Sequence, residues 1–225
     1  MIPYKLIDTA SEHNTVLRLY QRGEEFSIRV DKAGELMNSR SHNSEDVLAE
    51  LACKHIAGRE SPHLLVGGLG MGFTLAAVLA HSVPSARITV SELMPAVVRW
   101  NRDYLGAIAG FPLDDERVHI VEQDVGKVMR ENKNGFDAIM LDVDNGPDGF
   151  TRKDNDALYS LRGLNNAYNA LRPGGVLTVW SVAADTAFTQ RLMKVGFEVT
   201  QQRVRAHPAQ RSLRHTIWIG IRPRG

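Results

Sequence analysis

The sequence predicts a doubly wound α/β protein with a mostly parallel, seven-stranded sheet, a small N-terminal β-hairpin appendage and a C-terminal antiparallel hairpin. From residue 63 onward, apolar strand-like runs alternate with helical segments, which is typical of a parallel sheet covered on both faces. The first of these strands runs directly into a glycine-rich turn. The 225 residues, 43% of them hydrophobic, suffice for one such core but not for a second full domain.

Composition argues against several classes of partner. The 27 Lys and Arg residues nearly balance the 26 Asp and Glu residues, so no global charge attracts nucleic acid or an anionic membrane. The single cysteine, Cys53, cannot form an internal disulfide, and we interpret it as a small core residue. Neither a signal peptide nor a membrane-spanning apolar run is apparent. We therefore expect a cytoplasmic protein without nucleic-acid or membrane partners.

The N-terminal region predicts a small β element. Two strand-like segments, Thr15 to Tyr20 and Glu25 to Val30, are separated by a short polar turn. A helix is expected to follow, with Ser44 as its N-cap and two acids, Glu45 and Asp46, in its first turn. We accordingly divide the chain into an N-terminal β element, residues 1–43, and a catalytic domain, residues 44–225.

The catalytic domain is expected to alternate strands and helices. The predicted parallel strands are His63 to Gly67, Ala86 to Ser91, Val118 to Glu122, Phe136 to Asp142 and Gly175 to Trp180. The predicted helices are Phe73 to His81, Pro95 to Tyr104, Val125 to Glu131, Asp156 to Leu171 and Asp185 to Lys194. The C-terminal hairpin is expected at Phe197 to Arg205 and His215 to Ile221.

Ligands of open parallel sheets bind beyond the carboxyl ends of the strands. In this sequence, Gly68, Gly70 and Gly72 follow the first predicted strand. Glycines let a backbone turn sharply and approach a ligand closely. The dinucleotide fingerprint needs its third glycine at the position that Phe73 occupies, and no Walker lysine follows. A tight turn without a ligand is the alternative. The spacing therefore favours a nucleotide other than NAD.

Acidic residues follow the next two strands. Glu92, twenty residues after Gly72, is placed to accept hydrogen bonds from both hydroxyls of a ribose, although it could equally be an exposed surface charge. Asp124 could reach the exocyclic amine of an adenine, cap the following helix, or do both.

The fourth strand ends in a loop rich in acids. Asp142 and Asp144 are close enough in sequence for one carboxylate to raise the pKa of the other, which suits a general base. The alternative is a turn whose Asp, Asn and Gly residues serve the backbone alone. After the fifth strand, Trp180 is either a packed aromatic or a stacking partner for substrate. The sequence predicts no metal site.

The segment from about Leu64 to Trp180 resembles class I S-adenosylmethionine-dependent methyltransferases, with their Rossmann-like sheet, and within that fold the spermidine synthases. The motifs that carry the resemblance are LLVGGLGMG, VSEL, EQDV and FDAIMLDVDNGPDG. The resemblance implies that Glu92 binds the ribose, Asp124 contacts the adenine and Asp142 deprotonates an attacking amine. It also implies S-adenosylmethionine or its decarboxylated form as donor, no metal, and a homodimer formed through the N-terminal β element.

Several residues depart from the family pattern. Met71 stands where the family's glycine-rich turn has an aspartate that holds the donor's aminopropyl ammonium, and Asn145 stands where its loop has a second aspartate. Arg40 and His42 replace the family's tyrosine near the entrance. These two side chains would suit an anionic substrate, or they belong to a solvated linker.

Three hypotheses follow. The first is a spermidine-synthase-like transferase that moves an aminopropyl group from a sulfonium donor to a small-molecule amine, with Asp142 as base. The second is a methyltransferase acting on a small anionic or zwitterionic substrate. The third is a non-catalytic nucleotide- or RNA-binding protein, suggested by the basic residues between Arg203 and His215 and weakened by the absence of aromatic residues among them.

Overall fold

The computed structural model describes residues 2–13, 15–40, 42–143, 157–205 and 214–224. The N-terminal region forms an antiparallel sheet in which four strands are hydrogen-bonded in chain order. These strands are β1 (Lys5–Glu12), β2 (Thr15–Arg22), β3 (Glu25–Val30) and β4 (Gly34–Asn38). The predicted hairpin corresponds to the central pair, β2 and β3. The N-terminal sheet is larger than predicted, because β1 and β4 extend this hairpin on its two sides. β1 buries only Ala10 among its eight residues, so it lacks the apolar alternation that identifies a strand.

The second sheet contains seven strands in the order β10-β11-β9-β8-β5-β6-β7. The five strands from β5 to β9 are parallel, whereas β11 pairs antiparallel with β9 and β10 pairs antiparallel with β11. The predicted fold class is therefore confirmed. The strands are β5 (His63–Gly67), β6 (Arg87–Glu92), β7 (Val118–Glu122), β8 (Phe136–Leu141), β9 (Leu171–Ser181), β10 (Glu198–Arg205) and β11 (Arg214–Ile221).

The helices of the described residues pack against this sheet. They are α1 (Asn43–His55), α2 (Phe73–His81), α3 (Pro95–Trp100), α4 (Val125–Glu131), α5 (Leu161–Ala170) and α6 (Thr186–Val195). The prediction that Ser44 caps α1 was wrong: His42 occupies the N-cap position, and Ser44 lies inside the helix. A π turn (Asn101–Leu105) follows α3, where one continuous helix was expected. No helix within the described ranges combines the length and apolar character needed to cross a membrane.

The N-terminal sheet is joined to the larger one by a shared core. Leu19 and Ile28 of the small sheet belong to the same buried cluster as Leu48 of α1 and Trp100 of α3. The indole nitrogen of Trp100 also donates a 2.7 Å hydrogen bond to Asp8 Oδ2. Burial of these apolar side chains, at about 25 cal/mol per Å² of apolar area removed from water, holds the small sheet in place. The small sheet therefore forms a fixed wall beside the parallel sheet.

Candidate active site

A cavity lies at the carboxyl ends of the parallel strands, between them and the N-terminal sheet. Met37 and Leu17 of the small sheet form part of its wall. The remaining lining comes mainly from residues that follow strands β5, β6, β7 and β8. These residues are Gly68, Gly70, Leu93, Met94, Gln123, Asp124, Val125, Asp142 and Val143, joined by Ser91 and Glu92 at the end of β6. The cavity thus occupies the position that an open parallel sheet offers to ligands.

The glycine-rich turn has a backbone that requires glycine. Gly68, Gly70 and Gly72 have φ angles of 89°, 53° and 87°, in the left-handed region that other residues rarely adopt. A Cβ atom at Gly68 would also collide with the carbonyl oxygen of Asp142, and one at Gly72 would lie 3.0 Å from the Oδ1 of Asn101. Gly68 and Gly70 line the cavity, whereas Gly72 packs toward the turn after α3.

Glu92, at the end of β6, is buried with 8% of its surface exposed. Its Oε2 accepts a 2.9 Å hydrogen bond from the amide of Leu69, and its Oε1 accepts a 2.8 Å hydrogen bond from the amide of Met94. Burial raises the pKa of this carboxyl group, and the backbone hydrogen bonds act in the opposite direction. Glu92 therefore fixes the glycine-rich turn and also lines the cavity.

The sequence left two roles open for Asp124, helix capping and contact with an adenine, and the structure shows the first of them. It is the N-cap of α4, and its Oδ1 accepts a 2.8 Å hydrogen bond from the amide of Lys127, so the capping role is confirmed. The same exposed residue lines the cavity beside Gln123. Its contact with an adenine stays a prediction.

Asp142 follows β8 and lines the cavity next to the glycine-rich turn. Its amide donates a 2.9 Å hydrogen bond to the carbonyl oxygen of Gly67, and its Oδ2 accepts a 2.5 Å hydrogen bond from the hydroxyl of Thr74 in α2. The candidate base is therefore held by the first turn of α2. The other predicted loop residues, Asp144 and Asn145, lie outside the described residues.

A carboxylate that sequence reasoning did not assign to the site interacts electrostatically with Asp142. Burial raises the pKa of Glu45, in the first turn of α1, and the negative charge of Asp142 raises it further, to about 7. A hydrogen bond from Ser44 acts in the opposite direction. The sequence indicated only a first-turn acid that stabilises the helix dipole, because nothing local to residue 45 reveals which strand end α1 packs against.

Met71, Arg40 and His42 are not among the residues that line the cavity. Met71 is a core residue with 4% of its surface exposed. Arg40 forms a 2.8 Å ion pair with Glu35. His42 is held by an acid in the same way, since its Nδ1 lies 2.9 Å from an oxygen of Asp46. Both basic groups are thus already paired with carboxylates of this chain.

Trp180 packs against His215, with ring centroids 4.6 Å apart and the rings steeply inclined. It does not line the cavity, and its indole nitrogen is buried with no hydrogen-bond partner among the described residues. These contacts agree with the packed-aromatic interpretation. In the part of the chain that the structure describes, no three His, Cys, Asp or Glu side chains are grouped so as to hold a metal ion.

Together, the strand order, the glycine-rich turn and the acids at the strand ends define an α/β protein of the Rossmann-like methyltransferase fold, with its cavity at the carboxyl edge of the sheet. The family model of the spermine/spermidine synthase domain matches residues 45–206. The chain belongs to the spermine/spermidine synthase family.

Relatives and solved structures agree with this assignment. A polyamine aminopropyltransferase from a Thermoanaerobacter species is 42% identical over 80 residues, which is 35% of this chain and only 27% of that relative's length. The crystal structure of spermidine synthase from Thermotoga maritima superposes with a TM-score of 0.77, covering 98% of this chain and 73% of that chain at 19% identity. A spermidine synthase in complex with the transition-state analogue AdoDATO superposes over the same shares of both chains with a TM-score of 0.76 at 19% identity. At such identities the superpositions establish the fold.

Proposed function

We propose that this protein binds an S-adenosyl sulfonium donor in the cavity and transfers an aminopropyl group from it to a small-molecule amine. One observation carries the proposal: the carboxylate-bearing residues Glu92 and Asp142 line the same cavity as Gly68 and Gly70. Glu92 would accept hydrogen bonds from the ribose, and Asp124 would contact the adenine. The glycine-rich turn lets the donor approach the backbone between these two residues.

The chemistry requires positioning and the removal of a proton. The amine nitrogen attacks a carbon bonded to the sulfonium, so the new N–C bond forms while the C–S bond breaks and the sulfur leaves as a neutral thioether. A primary amine has a pKa near 10, so most of it is protonated at neutral pH and cannot attack. In the proposed mechanism, the carboxylate of Asp142 accepts that proton. Its hydrogen bond from Thr74 would hold it in place during the transfer.

Family membership supports the aminopropyl donor. The curated relative named above is a polyamine aminopropyltransferase, and a structural neighbour was solved with AdoDATO. A second candidate is methyl transfer from ordinary S-adenosylmethionine to a small zwitterionic or anionic substrate. It is kept because residues 68–72 of the glycine-rich turn include no acid that could bind an aminopropyl ammonium. We keep both donors as candidates and rank the decarboxylated donor first.

The first experiment compares donors. Thermal shifts are recorded with S-adenosylmethionine, its decarboxylated form and methylthioadenosine; a ligand at a hundredfold excess over its dissociation constant stabilises a protein by about 2.7 kcal/mol. We expect stabilisation by all three, with decarboxylated S-adenosylmethionine strongest. Stronger stabilisation by S-adenosylmethionine would favour the methyltransferase, and no stabilisation by any of them would contradict the proposed function.

The second experiment separates an enzyme from a non-catalytic binder. Asp142→Asn removes the proposed proton acceptor but keeps the shape of the side chain, so we expect turnover of decarboxylated S-adenosylmethionine with a diamine to fall by at least about a hundredfold. Binding of methylthioadenosine should persist. Asp103→Asn, on the exposed turn after α3, is the matched control and should behave as the wild type. Equal turnover in both variants would rule out Asp142 as the base.

A further inference from the structure

The fold brings a second carboxylate to the candidate base from a different element. Glu45 lies in the first turn of α1, and Asp142 lies at the end of β8, where Thr74 of α2 binds it. The negative charge of Asp142 adds to the burial that raises the pKa of Glu45 to about 7. Helix α1 packs against both α2 and β8. The ring of His42, at the N-cap of α1, stacks on Phe73, the first residue of α2, with ring centroids 4.5 Å apart. The first turn of α1, which carries Glu45, therefore lies beside the first turn of α2, which binds Asp142 through Thr74.

The surroundings of Glu45 orient it without neutralising it. The hydroxyl of Ser44 donates a 2.6 Å hydrogen bond to Glu45 Oε2 and lies 2.9 Å from Nδ1 of His215 on β11. A serine hydroxyl has one hydrogen, so His215 is the donor in the second bond. Burial lowers the pKa of His215, so this ring is neutral near pH 7 and contributes a hydrogen bond rather than a charge.

The other charged neighbour of Glu45, Asp46, also supplies no positive charge that would balance the Glu45 carboxylate. Asp46, the next residue of α1, adds a negative charge and is itself paired with His42. Within the described ranges, neither lysine nor arginine forms an ion pair with Glu45. Ionising both of two carboxylates that lie close together in a partly buried site costs free energy. The pair therefore keeps one proton until a cation binds.

A primary ammonium group matches this arrangement. It carries the compensating charge and three N–H donors, enough to bind two carboxylates at once. Residues 68–72 of the glycine-rich turn include no acid, so this turn supplies no carboxylate for an ammonium group. Glu45 is therefore an acid that this chain places beside Asp142 from outside the motifs that carry the family resemblance.

We propose that Glu45 is a specificity-determining residue that binds, together with Asp142, the ammonium group of the acceptor amine, and that this ammonium displaces a proton from the carboxylate pair into solvent. The inference rests on the proposed function, because it takes the acceptor to be an amine. It adds a residue that selects a cationic acceptor over a neutral or anionic one.

The test is calorimetric titration of 1,4-diaminobutane into protein saturated with methylthioadenosine, at about pH 6 and about pH 8, in two buffers of different ionisation enthalpy. We expect the wild type to release close to one proton per diamine at the lower pH and almost none at the higher. Its affinity should rise between these pH values by about tenfold for each unit over which Glu45 loses its proton. Release of no proton at either pH would overturn the proposal without any variant being needed.

Two variants and one control complete the test. Glu45→Gln should lose at least about tenfold in diamine affinity at the higher pH and should release no proton, whereas Glu45→Asp should keep part of both effects. Glu50→Gln, on the exposed side of α1, should match the wild type. Diamine binding by Glu45→Gln that equals the wild type, with the same proton release, would overturn the proposal.

Binding of methylthioadenosine separates a failure of the proposed function from a failure of the role of Glu45. Methylthioadenosine carries no ammonium group, and Glu45 does not line the cavity, so its affinity should be the same in the wild type and in Glu45→Gln. Failure of the wild type to bind methylthioadenosine would overturn the proposed function. Normal methylthioadenosine binding with unaltered diamine binding in Glu45→Gln would overturn only the role of Glu45.

Discussion

The hydroxyl of Thr74 donates a 2.5 Å hydrogen bond to Oδ2 of Asp142, which links the first turn of α2 to the carboxylate that follows β8. Thr74 is buried, with 2% of its surface exposed, so little water can replace it as a donor. Helix α2 begins directly after the glycine-rich turn. One element therefore positions both the turn that we expect to bind the nucleotide and the carboxylate that we propose as the base.

Removing this hydroxyl should impair positioning of the base. We expect Thr74→Val to lower kcat by about tenfold and the free energy of unfolding by about 1.5–3 kcal/mol, the usual contribution of a hydrogen bond to a charged group. Thr74→Ser keeps the hydroxyl and should retain most of both quantities. Steady-state kinetics and urea denaturation measure the two effects. A valine variant with wild-type kcat would show that Asp142 does not depend on this contact.

Glu92→Gln should weaken both the turn and nucleotide binding. The glutamine can offer only one acceptor oxygen to the amides of Leu69 and Met94, and its NH2 group would face the other amide donor. We expect the free energy of unfolding to fall by about 1–3 kcal/mol and the affinity for methylthioadenosine to fall at least about tenfold. Glu122→Gln, the exposed partner in register on β7, is the control. Unchanged nucleotide affinity in Glu92→Gln would argue against a ribose contact.

Gly68→Ala separates backbone strain from steric collision. An alanine at φ 89° is strained, and its Cβ would also meet the carbonyl oxygen of Asp142. Gly23→Ala, at φ 62° in the turn between β2 and β3, is strained but meets no atom within 4 Å. We expect a loss of about 1–2 kcal/mol for Gly23→Ala and a larger loss for Gly68→Ala, with nucleotide binding abolished only in the latter. Chemical denaturation and methylthioadenosine titration test this, and equal losses would refute a role for the collision.

Glu45 should make stability depend on pH. The folded protein holds the Glu45 proton up to pH about 7, whereas the ordinary value for the free side chain is 4.5. Between these values the folded state binds more protons than the unfolded state, so the free energy of unfolding decreases as pH rises from about 4.5 through about 7. Glu45→Gln cannot titrate and should show a shallower decrease, whereas Glu50→Gln should follow the wild type. Melting temperatures across this range measure the difference, and identical curves for all three proteins would contradict the assignment.

Local pattern was sufficient for several elements. The bounds of β5, β7, α2 and α4 agree with those predicted, because each is a short apolar-patterned run ended by glycine or polar residues. β1 was missed because it is a polar edge strand. Ser44 was assigned to the wrong role because its hydroxyl binds Glu45 and His215 rather than the helix N-terminus, and His215 reaches it only through the fold.

The sequence alone determined which glycines and acids follow the parallel strands and therefore meet at one edge of the sheet. Parallel strands point in one direction, so Gly68, Glu92, Asp124 and Asp142, each at or just after a strand end, had to meet at one edge of the sheet. Tertiary packing decided what lies around them. It placed Glu45 beside Asp142, buried Met71, and paired Arg40 and His42 with acids outside the cavity lining. These relations depend on how α1 and the N-terminal sheet dock against the larger sheet, and long-range docking leaves no periodic signal in the sequence.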